Sequence, residues 1–351
     1  MRSVLSLLRR RRIGLGFLAL GCGFSALFTG SAHAEACGAS GNLEPCFDAN
    51  SLWLPAGRTS FMTLPDTRVN APGKLGVGLA TELLRAPVTF QVSSPDRGGR
   101  TVFVVDDAVD SSLFFAVGVP DRLEATATLP ARLYQRGAGA GAAASQSAPP
   151  IEQSALRDPR LGVAYSLDDA LNAPGYGLRL GVELSLPLGD ERGMAGERSV
   201  VAAPSVTFGW RRHLVAFRAS AGARLRRSVE FGDVRLGSEA LIALGLGVDV
   251  LDPGLLFFSL EGFALPPLGS SRASTANEEI TSVMWLPAEW CFAARTSFRR
   301  DSAWSLAGSF GTGLPLSSET RSTSTGADTS HFLAVTEPAW RSVLYVRFTP
   351  R

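Results

Sequence analysis

The sequence predicts an all-β protein whose architecture is a transmembrane up-and-down antiparallel β-barrel of about 12 strands. Three observations carry this prediction: an export signal at the N-terminus, a series of later segments in which apolar and polar residues alternate, and connections that alternate between short and long. The 351 residues are 45% hydrophobic, and their mean hydropathy is +0.13. After the export signal, however, no apolar run reaches about 18 residues, which excludes a polytopic helical membrane protein.

Residues 1–34 have the three parts of a signal peptide. A cluster of five arginines precedes an apolar stretch over 13–29, and Ala32-His33-Ala34 forms a small-x-small cleavage site. The mature chain is therefore predicted to leave the cytoplasm, and together with the barrel pattern below this predicts the outer membrane as its localisation. Two alternatives stay open, namely that Cys22 is a lipoprotein cysteine and that the paired arginines are a twin-arginine signal.

Residues 35–74 precede the first predicted strand and hold two of the three cysteines that remain after cleavage. Cys37 and Cys46 enclose a short loop rich in Gly, Ser and Asn, which favours a disulfide in an oxidising compartment. Cys291 is then unpaired. The segment carries large apolar residues among Pro, Gly and Asn, and two placements are open: it lies in the periplasm, or it folds into the periplasmic mouth of the barrel as a plug.

Alternation with period 2 marks the strands of the barrel, which we place over 75–349. In 176–186, Leu and Val occupy every even position from Leu178 to Leu186, while the odd positions carry Gly, Arg, Glu and Ser. Each such segment has about 9 to 14 residues, long enough to cross a bilayer when tilted. We predict strands near 75–83, 111–119, 123–133, 158–167, 176–186, 199–210, 214–226, 238–250, 255–264, 285–298, 303–313 and 339–349.

The predicted connections alternate in length, as in outer-membrane barrels with short periplasmic turns and long outer loops. This pattern places both termini on the periplasmic side. Residues 137–150, GAGAGAAASQSAPP, are of low complexity and predict a mobile surface loop. The short connections are 120–122, 168–175, 211–213, 251–254 and 299–302, and the long ones are 84–110, 134–157, 187–198, 227–237, 265–284 and 314–338.

A soluble all-β protein also has alternating strands, so the aromatic residues help to decide between the two classes. Trp210, Trp304 and Phe348 fall at the short-turn end of the apolar face, and Trp285 and Trp340 fall near the long-loop end. Aromatic rings at both strand ends are typical of the two interfacial girdles of a membrane barrel. We therefore favour the membrane barrel.

Three stretches resemble a known group of outer-membrane proteins. The stretch 158–165 (DPRLGVAY), the segment 181–190 (GVELSLPLGD) and the four residues 236–239 (LGSE) are similar to outer-membrane barrels of the transporter type associated with phenol-degradation (MetA-pathway) operons. Similar barrels form part of OmpA-like proteins in myxobacteria-like genomes. The resemblance covers roughly 75–349 and rests on strand and turn patterns, so it implies the fold and leaves the solute open.

The polar faces of the predicted strands carry acidic and basic residues in nearly equal number, and these side chains are the candidates for lining the lumen. One interpretation is a network of paired charges that fills the barrel, since buried ions need partners. The other is a polar pore in which the arginines of 218–226 oppose Glu183 or Glu239, with Gly and Ala leaving a path for water. The candidates are Arg179, Glu183, Arg218, Arg224, Arg226, Glu239, Asp249, Glu261, Glu289, Arg295, Arg341 and Arg347.

Catalysis and nucleic-acid binding receive little support. Two histidines remain after cleavage, His213 in a short turn beside arginines and His331 in a Ser/Thr-rich loop, so we predict no enzyme, no catalytic residue and no cofactor or metal site. The 34 basic residues include one lysine, Lys74. Without the signal peptide, 29 basic residues face 32 acidic ones, and no basic nucleic-acid surface follows.

The sequence therefore predicts a passive channel or transporter for small molecules. The alternative is a structural or interaction barrel with a sealed lumen and outer loops that bind a partner. The expected partners are outer-membrane lipid, the barrel-assembly machinery and a small-molecule solute of unknown identity.

Overall fold

The structure is a computed structural model, and it describes residues 44–92, 100–140, 151–167, 175–231, 234–251, 255–269, 280–284, 286–297, 303–316, 318–321, 332–335 and 337–349. The signal peptide over 1–34, Cys37, the loop residues 141–150, Trp285 and His331 lie outside the described residues. Within the described ranges, no helix is long and apolar enough to cross a membrane.

Twelve antiparallel strands form one closed barrel. Each strand pairs with its neighbours in the chain, and the first strand pairs on one side with the second and on the other with the last. Closure leaves no open sheet edge, as a membrane-spanning sheet requires. The strands are β1 Leu75–Val92, β2 Arg100–Val119, β3 Leu123–Arg136, β4 Arg160–Ser166, β5 Tyr176–Ser185, β6 Val201–Arg212, β7 Val215–Arg224, β8 Glu239–Asp249, β9 Leu256–Ala264, β10 Ala288–Ser297, β11 Trp304–Gly313 and β12 Trp340–Phe348.

All twelve strands lie where the alternation predicts them, and the largest difference is in β1 and β2. These strands have 18 and 20 residues, and they pair from Leu75 with Val117 to Val92 with Arg100. The long loop expected over 84–110 is therefore mostly a hairpin extension. Its inner face carries apolar side chains, among them Val102 and Val104, which are buried against other apolar residues and so favour continued pairing.

Apolar and charged side chains lie on opposite faces of the barrel wall. In β8, Leu244 and Leu246 are 53% and 56% exposed, whereas Glu239 and Asp249 are each 1% exposed. The same division recurs around the barrel. A soluble barrel would bury its apolar face, so this arrangement is that of a wall that faces lipid.

Aromatic rings lie near both ends of the wall. At the end with the short turns, the rings of Trp304 and Phe348 are 5.1 Å apart. At the other end, the ring of Trp340 stacks on Phe310 at 6.2 Å. The two sets agree with the expected interfacial girdles, with Trp285 outside the described residues.

The two ends of the barrel differ. At the short-turn end, the left-handed backbone of Asp121, Arg122 and His213 closes tight reversals between strands. At the long-loop end, the connections add short strands above the wall. These are Ala155–Leu156, which pairs with β3, Val229–Phe231 with Val234–Leu236, Ile280–Met284 with Ser318–Arg321, and Phe332–Val335, which pairs with β1.

Candidate functional site

The lumen is occupied by residues 44–74, which we name the plug segment. At the long-loop end, the Glu44 N–H donates to the Glu230 carbonyl oxygen at 2.9 Å. At the short-turn end, the Gly73 N–H donates to the Gly118 carbonyl oxygen at 2.8 Å. The segment thus runs the length of the barrel before β1 begins. Residue 44 lies at the long-loop end, which differs from the expectation that the chain N-terminal to β1 stays at the short-turn end.

Apolar side chains surround the start of the plug segment. The Phe47 ring lies 4.8 Å from that of Phe231, which stacks on Phe90 at 4.5 Å. Cys46 is buried there and is disulfide-bonded, while its predicted partner Cys37 is outside the described residues. We name this set the outer cluster, because it closes the long-loop end. It comprises Cys46, Phe47, Ala49, Leu84, Val88, Phe90, Val102, Val104, Val105, Ala108, Met194, Val229, Phe231, Val234 and Leu236.

Below the outer cluster, Asp48 enters a network of buried ion pairs. Its carboxylate lies 2.7 Å from Arg157, and Asp110 pairs with both Arg157 at 3.1 Å and Arg132 at 2.7 Å. Asn50 also donates to Asp110 at 2.9 Å. One carboxylate of the plug segment therefore completes the charge balance of two wall arginines.

Arg341 of β12 connects the next turn of the plug segment to the wall. Its Nε donates to Glu289 at 2.8 Å, and its Nη1 donates to Glu82 at 2.7 Å and to the Asn50 side-chain oxygen at 2.6 Å. Ser51 donates to the same Glu289 at 2.9 Å. Wall and plug residues thus satisfy one buried polar network together.

Trp53 holds the middle of the plug segment against β4 and β7. The guanidinium carbons of Arg160 and Arg224 lie 4.8 Å and 4.5 Å from the centre of the indole ring, which are cation–π distances. Arg160 also lies 3.5 Å from Glu183. The ring of Trp53, and not a carboxylate, thus contacts the guanidinium group of Arg224.

Further down, wall side chains bind the backbone of the plug segment. Glu261 accepts hydrogen bonds from the N–H groups of Met62 and Thr63 at 2.8 Å and 2.7 Å. Arg295 donates to the Ser60 carbonyl oxygen at 3.0 Å, and Arg347 donates to two further plug carbonyl oxygens. Since residues 44–71 contain no helix or strand, these contacts satisfy backbone groups that would otherwise be unpaired.

Asp66 fixes the lower part of the plug segment. Its carboxylate lies 2.7 Å from Arg218, which also donates to the Pro65 carbonyl oxygen at 3.1 Å. Arg179 donates to the Asp66 carbonyl oxygen at 3.2 Å and to Glu124 at 3.2 Å. Two wall arginines thus bind one residue of the plug segment.

Glycines of the wall make room for the plug segment. A Cβ added to Gly245 would lie 2.7 Å from Leu64 and 2.8 Å from Phe61, and one added to Gly209 would lie 2.8 Å from Thr67. The small inward-facing residues that the sequence analysis interpreted as space for water therefore accommodate plug side chains at these positions.

Eight of the twelve charged residues predicted to line the lumen contact the plug segment, namely Arg179, Arg218, Arg224, Glu261, Glu289, Arg295, Arg341 and Arg347. Arg226 pairs with Glu239, as the pore interpretation expected, and also with Glu197. Arg218 instead pairs with Asp66 of the plug. Asp48, Asn50, Ser51, Trp53 and Asp66 of the plug segment also belong to the site and were not predicted as site residues. Their one sequence signal is a set of large side chains in a segment that has no strand pattern.

Two cavities beside the plug segment exceed 100 Å³ among the described residues. One, of about 110 Å³, lies between Trp53 and small side chains of the wall, including Gly162 and Gly181. The other, of about 580 Å³, lies at the short-turn end between the plug and residues of the strand ends, such as Arg218 and Asp249. The plug segment thus narrows the middle of the lumen, and the lumen is wider at the short-turn end.

Comparison with known proteins agrees with the fold. No family model matches the sequence, and no curated protein matches it. The COG4313 outer membrane channel from Pseudomonas putida F1 is similar over 82% of this chain and 100% of that chain, with 14% identity and a TM-score of 0.54. The fold is that of an outer-membrane β-barrel. Two structures have lower TM-scores. The NanC porin has a TM-score of 0.43 and 9% identity, over 77% of this chain and 98% of that chain. The Pseudomonas putida toluene transporter TodX has a TM-score of 0.39 and 8% identity, over 87% of this chain and 99% of that chain.

Proposed function

We propose that this outer-membrane barrel is a passive channel for small molecules that the plug segment closes and that opens when the plug is displaced. The long loops then face the exterior, and the short turns face the periplasm. Transport is diffusion down a gradient and uses no cofactor. Assembly in outer-membrane lipid by the barrel-assembly machinery is part of the same proposal.

The observation that carries the proposal is how the plug segment is held. Barrel closure depends on backbone pairing between β1 and β12, and no residue of the plug segment takes part in that ladder. The plug itself has no helix or strand over 44–71. Its contacts with the wall are hydrogen bonds and ion pairs that water can replace, and each hydrogen bond to a charged group contributes about 1.5–3 kcal/mol net. Displacement of the plug therefore leaves the backbone pairing of the wall in place.

An opened lumen would present charges of both signs. Glu261, Arg179 and Arg341 would each lose a plug contact and gain water. A water-filled passage lined in this way suits small polar or charged solutes better than long apolar ones. The resemblance to phenol-degradation transporters adds aromatic compounds as a further candidate class of solute.

The outer cluster favours a second candidate, the sealed barrel whose loops bind a partner. Opening at the long-loop end would expose the rings of Phe47, Phe90 and Phe231 to water, and large side chains of this kind contribute about 1.5–3 kcal/mol each when buried. In that case the buried charges serve folding, and the outer loops carry the function.

Single-channel recording of the full-length protein in a planar bilayer, at increasing urea, separates the two candidates. The plugged channel gives few openings in buffer and reversibly more openings in urea, at concentrations where the barrel keeps its heat-modifiable mobility on SDS gels. A sealed barrel is silent until that mobility is lost.

A further inference from the structure

The cavity of about 580 Å³ at the short-turn end has an unusual charge balance. Among the described residues, six arginines and two carboxylates line it, the carboxylates being Asp66 and Asp249. Both carboxylates already have arginine partners, Arg218 at 2.7 Å and Arg211 at 3.5 Å. Two further arginines of the described lining, Arg295 and Arg347, therefore give the cavity a positive excess.

Two of these arginines are inside the barrel and lie near each other. The guanidinium carbons of Arg295 and Arg347 are 6.0 Å and 5.6 Å from the centre of the same ring, that of Tyr345. Both donate to neutral carbonyl oxygens of the plug segment, Arg295 to Ser60 and Phe61. In the part of the chain that the structure describes, neither forms an ion pair with a carboxylate.

Hydrogen-bonding capacity is also left over. Arg347 is 3% exposed, and its Nη1 has no acceptor among the described residues. Arg218 lines the same cavity, and its Nε likewise has no acceptor there. Buried guanidinium groups without a counter-charge are costly, because desolvation is not offset by an ion pair. An anion bound in the cavity would supply the missing counter-charge.

We infer that this cavity binds a small oxyanion, carboxylate or phosphate, on Arg295 and Arg347. Guanidinium groups suit this ligand class because their planar N–H pairs match the oxygens of a carboxylate or phosphate in pairs. The cavity opens at the short-turn end, so the ligand enters without displacement of the plug segment. The inference goes beyond the proposed function, because it concerns binding by the closed protein.

Ligand-observed NMR of the full-length protein in an uncharged alkyl glucoside detergent tests the inference. Inorganic phosphate is followed by ³¹P line width and acetate by ¹H line width, and the two arms distinguish the anion classes. We expect saturable broadening for at least one of them. Arg295→Gln and Arg347→Gln should each weaken that binding about tenfold or more. The matched control is Arg136→Gln, because Arg136 is exposed at the opposite end and pairs with Asp106.

Several results would overturn the inference. They are the absence of saturable broadening for both anions in the wild type, equal broadening of tetramethylammonium, and binding that neither Gln variant changes. If a buried variant fails to acquire heat-modifiable mobility, Arg58→Gln at the exposed rim of the cavity replaces it. We expect this variant to bind the anion about threefold more weakly. Unchanged binding would count against the site. The experiment reads no conductance, so its failure and that of the channel proposal are distinguishable.

Discussion

The guanidinium carbon of Arg224 lies 4.5 Å from the centre of the Trp53 ring, where a strand of the barrel wall meets the middle of the plug segment. Arg160 approaches the same ring at 4.8 Å. Cation–π contacts contribute about 0.5 kcal/mol when exposed and about 2 kcal/mol when desolvated. The buried side chain of Arg224 belongs to the second class.

Trp53→Ala removes both contacts and leaves the wall unchanged. A loss of roughly 1.4 kcal/mol or more changes an equilibrium about tenfold, so we expect single-channel recordings to show openings about ten times more often. Trp53→Phe keeps an aromatic face and should give an intermediate frequency. Equal frequencies in the alanine variant and the wild type would show that Trp53 does not hold the plug.

Glu261→Gln tests the hold on the plug backbone. The carboxylate accepts from the N–H groups of Met62 and Thr63 and from the Thr63 hydroxyl. An amide offers one acceptor oxygen instead of two, and hydrogen bonds to a charged group contribute about 1.5–3 kcal/mol. Hydrogen–deuterium exchange of peptides spanning 58–67 should therefore become at least tenfold faster, while peptides of β3 stay protected.

The control for this exchange experiment is Glu152→Gln, since Glu152 is exposed before β4. That variant should leave exchange over 58–67 unchanged. Unaltered exchange in the Glu261→Gln protein would contradict the role assigned to Glu261.

Arg341→Met removes the cation that joins Glu82, Glu289 and Asn50. Breaking a buried pair by removing one partner costs about 3–5 kcal/mol, because the remaining carboxylates keep an uncompensated charge. The free energy of unfolding in lipid vesicles, measured by urea titration, should fall by that amount. Arg136→Met is the control, because exposed pairs contribute about 0–1 kcal/mol, and equal losses in both variants would argue against a buried network.

Leu244→Arg tests which face of the wall contacts lipid. Leu244 lies in the middle of β8 and is 53% exposed. An arginine at the bilayer midplane destabilises a membrane barrel by about 2–4 kcal/mol, and the cost falls to about 0–1 kcal/mol near the interfaces. Leu133→Arg, near the long-loop end of β3, should therefore be mild in the same vesicle titration. Equal costs at the two sites would contradict the assigned membrane depth.

Strand positions were predictable because each strand has two chemically distinct neighbours, lipid and lumen. Because of that contrast, apolar and polar residues alternate along strands such as β5 and β8, and their approximate bounds follow from the local sequence. The extension of β1 and β2 was not predictable in this way. There the apolar residues, such as Phe90 and Val102, face the outer cluster instead of lipid, and that environment arises only after folding.

The charged face was also predictable, but its partners were not. Arg218 and Glu261 were predicted to face inward because they alternate with apolar residues along their strands. Their contacts come from Asp66 and Met62, which precede them by 152 and 199 residues. The plug segment has no periodicity, because it is fixed by side chains of the wall and not by its own secondary structure. No local pattern in the sequence encodes such long-range contacts.

A reversible disulfide between plug and wall tests the central claim, that displacement of the plug segment opens the barrel. Thr67→Cys and Gly209→Cys suit this purpose, because a Cβ added at Gly209 lies 2.8 Å from Thr67 Cγ2, the place that a cysteine sulfur would take. A Cys291→Ser background avoids mispairing. Thr67→Cys alone is the matched control, and reductant is also applied to the parent protein because Cys46 is disulfide-bonded.

The decisive measurement is the single-channel opening frequency of this double variant in a planar bilayer containing urea, before and after reduction. We predict that the oxidised protein is silent and that reduction restores openings at the parent frequency, while the single variant opens in both states. If the oxidised double variant, with its disulfide verified by mass spectrometry, opens as often as the reduced one, the plug segment is not the gate.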